Sequence, residues 1–200
     1  MEISATMVKE LRQKTGAPMM DCKKALAESD GDFEKAITYL RQKSLATVSK
    51  KAQRATTEGV VASYIHPGSK IGVLLELNCE SDFVARNEAF QEFTKNMTMH
   101  IAALNPFYIT RENVPETVIE KEREIYRSQA RESGKPEKIW DKIVSGRMDK
   151  YYAEVCLLEQ TYIKDDKLTV QGVLNELIAK LGENISIRRF IRYQLGENVS

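Results

Sequence analysis

The sequence predicts an α+β protein in which three N-terminal helices precede an antiparallel sheet of three strands that is covered by helices. Two observations carry this prediction. Apolar residues recur every three or four positions near the N-terminus, the period of a helix, whereas they alternate at 71–79 and 185–195, the period of a strand. We therefore predict a helical domain at 1–45, a basic linker at 46–57 and an α+β core domain at 58–200.

Capping residues mark the three N-terminal helices. Ser4 and Asp32 are typical N-caps of the first and third helix, Gly16 ends the first, and Pro18 suits the first turn of the second. The apolar residues spaced to face a common core are Met7, Val8, Leu11, Met19, Cys22, Leu26, Phe33, Ala36, Ile37 and Leu40. A bundle of this size is suited to binding a partner and is too small for much else.

The segment after these helices is basic. Residues 41–57 contain no acidic side chain and carry five basic ones, which are Arg41, Lys43, Lys50, Lys51 and Arg54. This composition is typical of a solvated linker, which could be helical, and it also fits a phosphate-binding patch. No aromatic residue is interleaved, which weakens the case for single-stranded nucleic acid.

The predicted core domain begins with a hairpin. Two aliphatic runs, 59–66 and 71–79, are joined by the turn sequence PGSK. Asn87 then caps a long helix that ends before Pro106. Three more helical patterns follow, at 115–132, from 136 to about 155 with Ile139, Trp140 and Ile143 as expected core, and from Thr169 to Gly182.

The last segment of the chain reads as a third strand that returns to the hairpin. Its side chains alternate, so that one group faces one side and a second group faces the other. The first group is Ile185, Ile187, Ile191, Tyr193 and Leu195, and the second is Arg188, Phe190 and Arg192.

Composition excludes some classes of function. With 30 basic and 29 acidic residues the net charge is +1, so no overall field attracts nucleic acid or an anionic membrane. Cys22, Cys79 and Cys156 lie far apart without a CxxC spacing, which favours buried, reduced thiols. No apolar run approaches the length of a membrane span, and the N-terminus lacks the apolar core of a signal peptide. We expect a cytoplasmic protein.

Residue types that carry catalysis are sparse. His66 and His100 are the two histidines, and no third metal ligand accompanies them at a recognisable spacing. Cys79 lies beside Glu80 and Asp82, whose negative charge raises a thiol pKa and opposes its use as a nucleophile. The sequence also lacks a phosphate-binding glycine loop. We therefore predict a binding protein rather than an enzyme, with no catalytic residue, metal or cofactor.

One short stretch, NCESDFVARNEAF at 78–90, places Phe83 in an expected turn. In one interpretation Phe83 packs against the following helix as a hydrophobic staple. In the other it is exposed among Ser81, Asp82 and Arg86 and anchors a contact with a partner, as aromatic residues at loop tips often do. The local pattern does not choose between the two.

Three longer motifs resemble one known family. They are LRQKTGAPMMDCKKAL at 11–26, LELNCESDFVARN at 75–87 and GENISIRRFIRYQLGE at 182–197. Together, and in this order, they are similar to the motifs of elongation factor Ts. The resemblance implies a guanine nucleotide exchange factor that binds elongation factor Tu with bound GDP and promotes GDP release during translation elongation.

The resemblance also implies two groups of contact residues. The N-terminal helices would form a ubiquitin-associated-like domain that docks on the nucleotide-binding domain of elongation factor Tu, with contacts from Arg12, Met19, Met20 and Lys23, although spacing alone places Met19 in the core. The family's TDFV motif, which presses on a partner helix and disturbs its magnesium and phosphate site, corresponds to Ser81, Asp82, Phe83 and Val84. Serine in place of threonine keeps the hydroxyl group.

Chain length separates this sequence from longer members of the family. A single hairpin-and-helix copy at 59–104 leaves one face of the sheet open, and short members cover it by pairing sheet against sheet. The resemblance thus implies a homodimer, with 58–200 as dimerisation domain. The last strand has Ile191 and no cysteine, so the dimer would be non-covalent.

The alternative function is an RNA-binding or ribosome-associated module, and a hydrolase with an unrecognised site is a weaker third. For an exchange factor no direct nucleic-acid contact is expected.

Overall fold

A computed structural model of the chain describes residues 3–134 and 136–197. In chain order, its helices and strands are α1 (Ala5–Thr15), α2 (Met19–Glu28), α3 (Phe33–Lys51), β1 (Glu58–Ile65), β2 (Ile71–Cys79), α4 (Asp82–Ala85), α5 (Glu88–Leu104), α6 (Glu116–Glu132), α7 (Trp140–Val155), β3 (Thr161–Tyr162), β4 (Asp165–Thr169), α8 (Val170–Leu181) and β5 (Ile185–Gln194). The predicted α+β class, with N-terminal helices before a helix-packed sheet of three antiparallel strands, is confirmed.

The described residues form two compact units that alternate along the chain. The first unit contains residues 3–61, 76–94 and 174–188, and the second contains 62–75, 95–173 and 189–197. Segments distant in sequence therefore belong to the same unit.

The first and third helices begin at their predicted N-caps, the first ends at Gly16 as predicted, and Pro18, expected in the first turn of the second helix, lies just before it. Ser4 Oγ accepts a hydrogen bond from the Met7 N–H at 3.2 Å, and Asp32 Oδ1 accepts one from the Lys35 N–H at 3.1 Å. Gly16 ends α1 in the left-handed conformation, with φ of 66°. The helices share a core of Val8, Leu11, Cys22, Ala25, Leu26, Ala36 and Leu40. Helix α3 continues through residues 46–51, so the first half of the predicted linker is helical.

The sequence-based placement of Met19 in this core is wrong. Met19 is the first residue of α2 and is 42% exposed, whereas Cys22 and Leu26 on the same helix are fully buried. Side chains on a helix lean towards its N-terminus, so the side chain of a first residue extends past the end of the packed stripe. Met19 therefore continues the apolar stripe onto the surface.

The sheet has the strand order β1-β2-β5. In β2 the buried residues alternate as the sequence predicts, at Val73, Leu75, Leu77 and Cys79. Arg192 of β5 lies on the covered side, where its Nε donates to the carbonyl oxygen of Ala102 in α5 at 3.2 Å.

The opposite face of the sheet is exposed in the second unit and is apolar. A Cβ atom added to Gly72 would lie 3.1 Å from Ile65 Cδ1, so Ile65 covers that glycine on this face. Within the second unit, five described residues of β1, β2, β5 and the turn after β5 leave large apolar side chains exposed, and we call them the open sheet face: Ile65, Leu74, Ile191, Tyr193 and Leu195. The apolar residues that alternate along β5 are buried at its start, at Ile185 and Ile187, and exposed towards its end, at Ile191 and Tyr193.

The second unit also contains the antiparallel helices α6 and α7 and a short hairpin of β3 and β4. Its helical core consists of Val114, Ile119, Met148, Tyr152, Val155 and Cys156. Ile139, Trp140 and Ile143, expected in the core, are only half-buried because they lie in and before the first turn of α7, outside this cluster. Across the described ranges, no helix is long and apolar enough to cross a membrane. All three cysteines are free and buried, as predicted.

Candidate partner-binding site

Phe83 lies on a single exposed turn between β2 and α5. Ser81 is the N-cap of α4, with an extended backbone (φ −131°, ψ 155°), and its Oγ accepts from the Val84 N–H at 3.4 Å. The turn buries Ala85, half-buries Val84 and leaves Asp82 and Phe83 in solvent. Phe83 is 80% exposed, so it does not pack as a staple against α5. The structure thus favours the contact interpretation of this residue on grounds of exposure.

Partly buried contacts fix the backbone of this turn within the first unit. The carboxylate of Glu183, from the segment between α8 and β5, accepts from the N–H groups of Glu80 and Ser81 at 3.1 and 3.0 Å and from Ser81 Oγ at 2.6 Å. Cys79 Sγ donates to the Ser81 carbonyl oxygen at 3.1 Å, and Gln91 Nε2 donates to that of Ala85 at 2.5 Å. The exposed aromatic ring is therefore carried by a turn whose two ends are both hydrogen-bonded.

The exposed side chains of the turn carry one charge of each sign. Arg86 forms an ion pair with Asp82 one turn earlier, and its guanidinium lies 6.0 Å from the centre of the Phe83 ring. Both charged side chains are largely solvated, so the pair contributes little stability and opens at low cost. Asp82 can therefore exchange Arg86 for a partner group.

Cys79, at the base of the turn, is not a nucleophile. Burial raises the pKa of its thiol, and the negative charge of Glu183 raises it further. A fully buried, protonated thiol is unreactive, so the role of Cys79 here is packing and hydrogen bonding.

The four N-terminal candidates are all exposed. Arg12 lies on α1, and Met19, Met20 and Lys23 lie on α2, with Met20 72% exposed. Two consecutive solvent-facing methionines, on a helix that also exposes Lys23, are typical of a surface that binds a partner rather than of a packed core. These residues and the turn of Phe83 belong to the same compact unit.

The basic segment after α2 is largely engaged within the first unit. Lys43 pairs with Asp21 at 2.6 Å, Lys51 donates to the carbonyl oxygen of Gly182, and Arg54 pairs with Glu80 at 3.4 Å. Of the five basic residues noted in the sequence, these three have internal partners. The contacts favour the structural interpretation of the segment over a phosphate-binding patch.

The histidines do not form a reactive centre. His66 shares a hydrogen bond with the Tyr64 hydroxyl at 3.0 Å, whereas His100 is fully buried and bonds Gln160 at 2.9 Å. Burial lowers the pKa of His100. Within residues 3–134 and 136–197, no group of three or more His, Cys, Asp or Glu side chains could hold a metal ion.

A concavity of 810 Å³ lies between α6 and α7 in the second unit. Charged side chains line it, and several pair with each other, as Arg127 does with Asp141 at 2.8 Å and Arg111 with Asp149 at 3.0 Å. Because these charged side chains already pair with each other, the concavity is typical of a solvated surface rather than of a ligand site.

Comparison with known proteins identifies the family. The family model described as Elongation factor TS matches residues 2–197. The chain belongs to the elongation factor Ts family. An elongation factor Ts from Geobacter metallireducens is 62% identical over 200 residues, covering 100% of this chain and 93% of the relative. Elongation factor Ts proteins from Syntrophus aciditrophicus and Nitratidesulfovibrio vulgaris are 57% and 61% identical over 199 and 196 residues, covering 99% and 98% of those relatives. The resemblance noted in the sequence is confirmed.

Sequence reasoning missed the residues that hold the turn of Phe83 in place. Glu183 and Asn184 stand in the quoted segment GENISIRRFIRYQLGE, but their contacts with residues 80 and 81 span more than one hundred positions. The signal in the sequence was that Glu183 and Asn184 stand between Gly182, which follows α8, and the start of a buried strand. Polar side chains at such places often hydrogen-bond to backbone groups. That signal does not identify the partner.

Proposed function

We propose that this protein is a guanine nucleotide exchange factor that binds elongation factor Tu with bound GDP and promotes GDP release during translation elongation. It would act in the cytoplasm as a binding protein and leave the chemistry of GTP hydrolysis to its partner. The observation that carries the proposal is the exposure of Phe83 on a fixed turn. Membership of the elongation factor Ts family, whose model matches residues 2–197, supports the proposal.

In this proposal, Ser81, Asp82, Phe83 and Val84 disturb the magnesium and phosphate site of the partner. An exposed phenyl ring on a rigid support can displace a helix of the partner without first losing conformational freedom. Asp82 adds a carboxylate close to groups that bind phosphate and metal. Arg12, Met19, Met20 and Lys23 would hold the nucleotide-binding domain of the partner through a second contact.

The energy required is within the reach of such contacts. A GTPase with nanomolar GDP affinity and association near about 10⁶ M⁻¹s⁻¹ releases GDP at about 10⁻³ s⁻¹. Raising this rate by roughly 10⁵ requires about 7 kcal/mol of barrier lowering. Preferential binding to the nucleotide-free state supplies it, because a ligand shifts an equilibrium by its difference in affinity for the two states.

We also propose a non-covalent homodimer formed through the open sheet face. Ile65, Leu74, Ile191, Tyr193 and Leu195 expose apolar surface that a second copy of the same face would bury. The three cysteines are buried, so none is placed to link two chains.

Binding linkage tests the exchange function directly. If the factor weakens GDP binding to elongation factor Tu, GDP must weaken factor binding by the same ratio. We expect GDP added to the purified complex to release free factor, and magnesium to strengthen the effect. Affinity that does not depend on GDP would contradict exchange by differential binding. Dependence on GDP without dependence on magnesium would retain exchange and exclude action on the metal site. Binding that ignores elongation factor Tu and falls steeply with salt would favour an RNA-binding module.

A further inference from the structure

The turn that carries Phe83 is too short to hold its own conformation. Helix α4 has four residues, Asp82–Ala85, and a single helical turn is not stable in isolation. Phe83 is 80% exposed, so its own packing does not fix its direction. The direction of the ring therefore depends on the groups that fix the backbone at the two ends of the turn, and the contacts at its start are the more numerous.

Glu183 fixes the start of the turn. It accepts three hydrogen bonds, two from the consecutive N–H groups of Glu80 and Ser81 and one from the Ser81 hydroxyl. The same hydroxyl oxygen accepts from the Val84 N–H at 3.4 Å, so a continuous chain of hydrogen bonds runs from the Glu183 carboxylate into α4. Hydrogen bonds to a charged acceptor are stronger than those to a neutral one, and the bond from the Ser81 hydroxyl is also short, at 2.6 Å.

Glu183 is itself held in place. The backbone N–H of the neighbouring Asn184 donates to Glu80 Oε1 at 2.6 Å. Residues 183–184 and residue 80 therefore each donate a hydrogen bond to, and accept one from, the other segment. Asn184 Nδ2 donates to the carbonyl oxygen of Arg54 at 2.8 Å, and Asn184 is buried. The segment at 183–184 is thus fixed to the residues after α3 and to the end of β2.

We infer that Glu183 is a positioning residue for nucleotide exchange, which sets the direction in which Phe83 and Asp82 meet the partner. The inference rests on the proposed function, because it assigns to Glu183 a role in the action of the exposed turn. A positioning role for Glu183 can be distinguished by experiment from a purely structural one. A positioning role affects the step that the turn promotes, whereas a purely structural role affects the amount of folded protein.

Four variants test the inference: Glu183→Ala, Glu183→Asp, Glu183→Gln and Phe83→Ala. Release of a fluorescent GDP analogue from elongation factor Tu is followed at increasing factor concentration, which separates the maximum rate from the half-saturating concentration. We expect Glu183→Ala to lower the maximum rate about tenfold or more, because small displacements of a contact group reduce rates strongly. Glu183→Asp keeps the charge but is shorter by one methylene group, so it should also lose rate. Glu183→Gln keeps the length and one acceptor, and should retain most of it.

A double-mutant cycle distinguishes positioning from stability. If Glu183 acts through Phe83 and Asp82, the loss of rate in the Phe83→Ala/Glu183→Ala variant should be smaller, in free energy, than the sum of the two single losses. Additive losses, or losses that match the unfolded fraction measured by thermal melting, would overturn the inference. Glu92→Ala, at an exposed glutamate of α5, is the control for removing one acidic side chain.

The two proposals fail in different ways. If the factor does not accelerate GDP release, or if Phe83→Ala releases GDP like the parent, the proposed role of the turn fails. If the parent is active and Phe83→Ala is impaired, but folded Glu183→Ala and Glu183→Asp match the parent, only the positioning role is overturned. Should Glu183→Ala not fold, Glu183→Asp and Ser81→Ala test the same contact, and full activity of both would contradict it.

Discussion

At the scale of single residues, the turn between β2 and α5 has different residues for its exposed side chain and for its attachment to the protein. Phe83 is exposed and Ala85, two residues later, is buried, so one turn of helix contains both a solvent-facing ring and an anchor. Ser81 connects the two as the N-cap of α4. This arrangement permits large changes at Phe83 without a change in the core.

Replacing Phe83 is therefore expected to affect exchange and not stability. Phe83→Ala should change the free energy of unfolding by less than about 0.5 kcal/mol, because the side chain is mostly in solvent. The acceleration of GDP release should fall about 30-fold or more, corresponding to on the order of 2 kcal/mol for an aromatic anchor. The measurements are urea denaturation and fluorescent GDP release.

Phe107→Ala is the matched control, because Phe107 is also a solvent-facing phenylalanine, 67% exposed, in a segment to which we assign no contact. It should exchange like the parent. A large loss of stability in Phe83→Ala, with normal exchange per folded molecule, would instead make Phe83 a core residue.

At the scale of elements, local signals predicted most of the boundaries. Ser4, Gly16 and Asp32 act on backbone groups within four residues, so their effects are readable in the sequence. The alternation in β2 is equally local. The short hairpin of β3 and β4 was not predicted, because its strands have two and five residues and the paired residues are largely exposed. The support of the Phe83 turn was not predictable either, because Glu183 comes from a distant part of the chain.

Two helices of the second unit are joined by a buried polar network around His100. His100 Nδ1 accepts from the Ile163 N–H at 3.3 Å, so Nε2 carries the proton and donates to Gln160 Oε1 at 2.9 Å. Gln160 Nε2 in turn donates to the carbonyl oxygen of Glu154, in α7, at 2.6 Å. The network requires a neutral imidazole, because a protonated Nδ1 cannot accept a hydrogen bond.

The stability of the protein should therefore fall at mildly acidic pH. Burial lowers the pKa of His100 below its ordinary value of 6.5, and the hydrogen bond that His100 donates to Gln160 opposes this only in part. The unfolded chain then binds a proton more readily than the folded one. The contribution of neutral His100 is complete above about pH 6.5 and decreases as pH falls below it, by at most about 1.4 kcal/mol per pH unit.

Urea denaturation at pH 7.5, 6.5 and 5.5 tests this prediction. His100→Gln should lose part of the pH dependence of the parent, whereas His66→Gln, at the exposed histidine, should keep it. Equal slopes in the parent and in His100→Gln would show that His100 does not carry the effect.

At the scale of the whole molecule, the open sheet face predicts self-association. Leu74 and Tyr193 should be buried between two copies, so the protein should sediment above the 22.8 kDa of one chain at micromolar concentration. Reducing agent should have no effect on this assembly. Leu74→Lys should yield monomers, because two lysines would be forced into an apolar contact.

Leu45→Lys provides the control, since Leu45 is similarly exposed on α3 and belongs to the first compact unit rather than to the open sheet face. It should leave the sedimentation unchanged. A monomeric parent, or a Leu74→Lys variant that associates like the parent, would exclude dimerisation through this face.

The contact between Glu183 and Ser81 has a consequence for the time at which the protein becomes active. The two residues are 102 positions apart, and the ribosome adds about 5–20 residues per second. For about 5–20 s after Ser81 has been incorporated, a nascent chain therefore carries the Phe83 turn without its support. The turn that we propose as a contact surface is therefore not complete until the residue at position 183 has been translated.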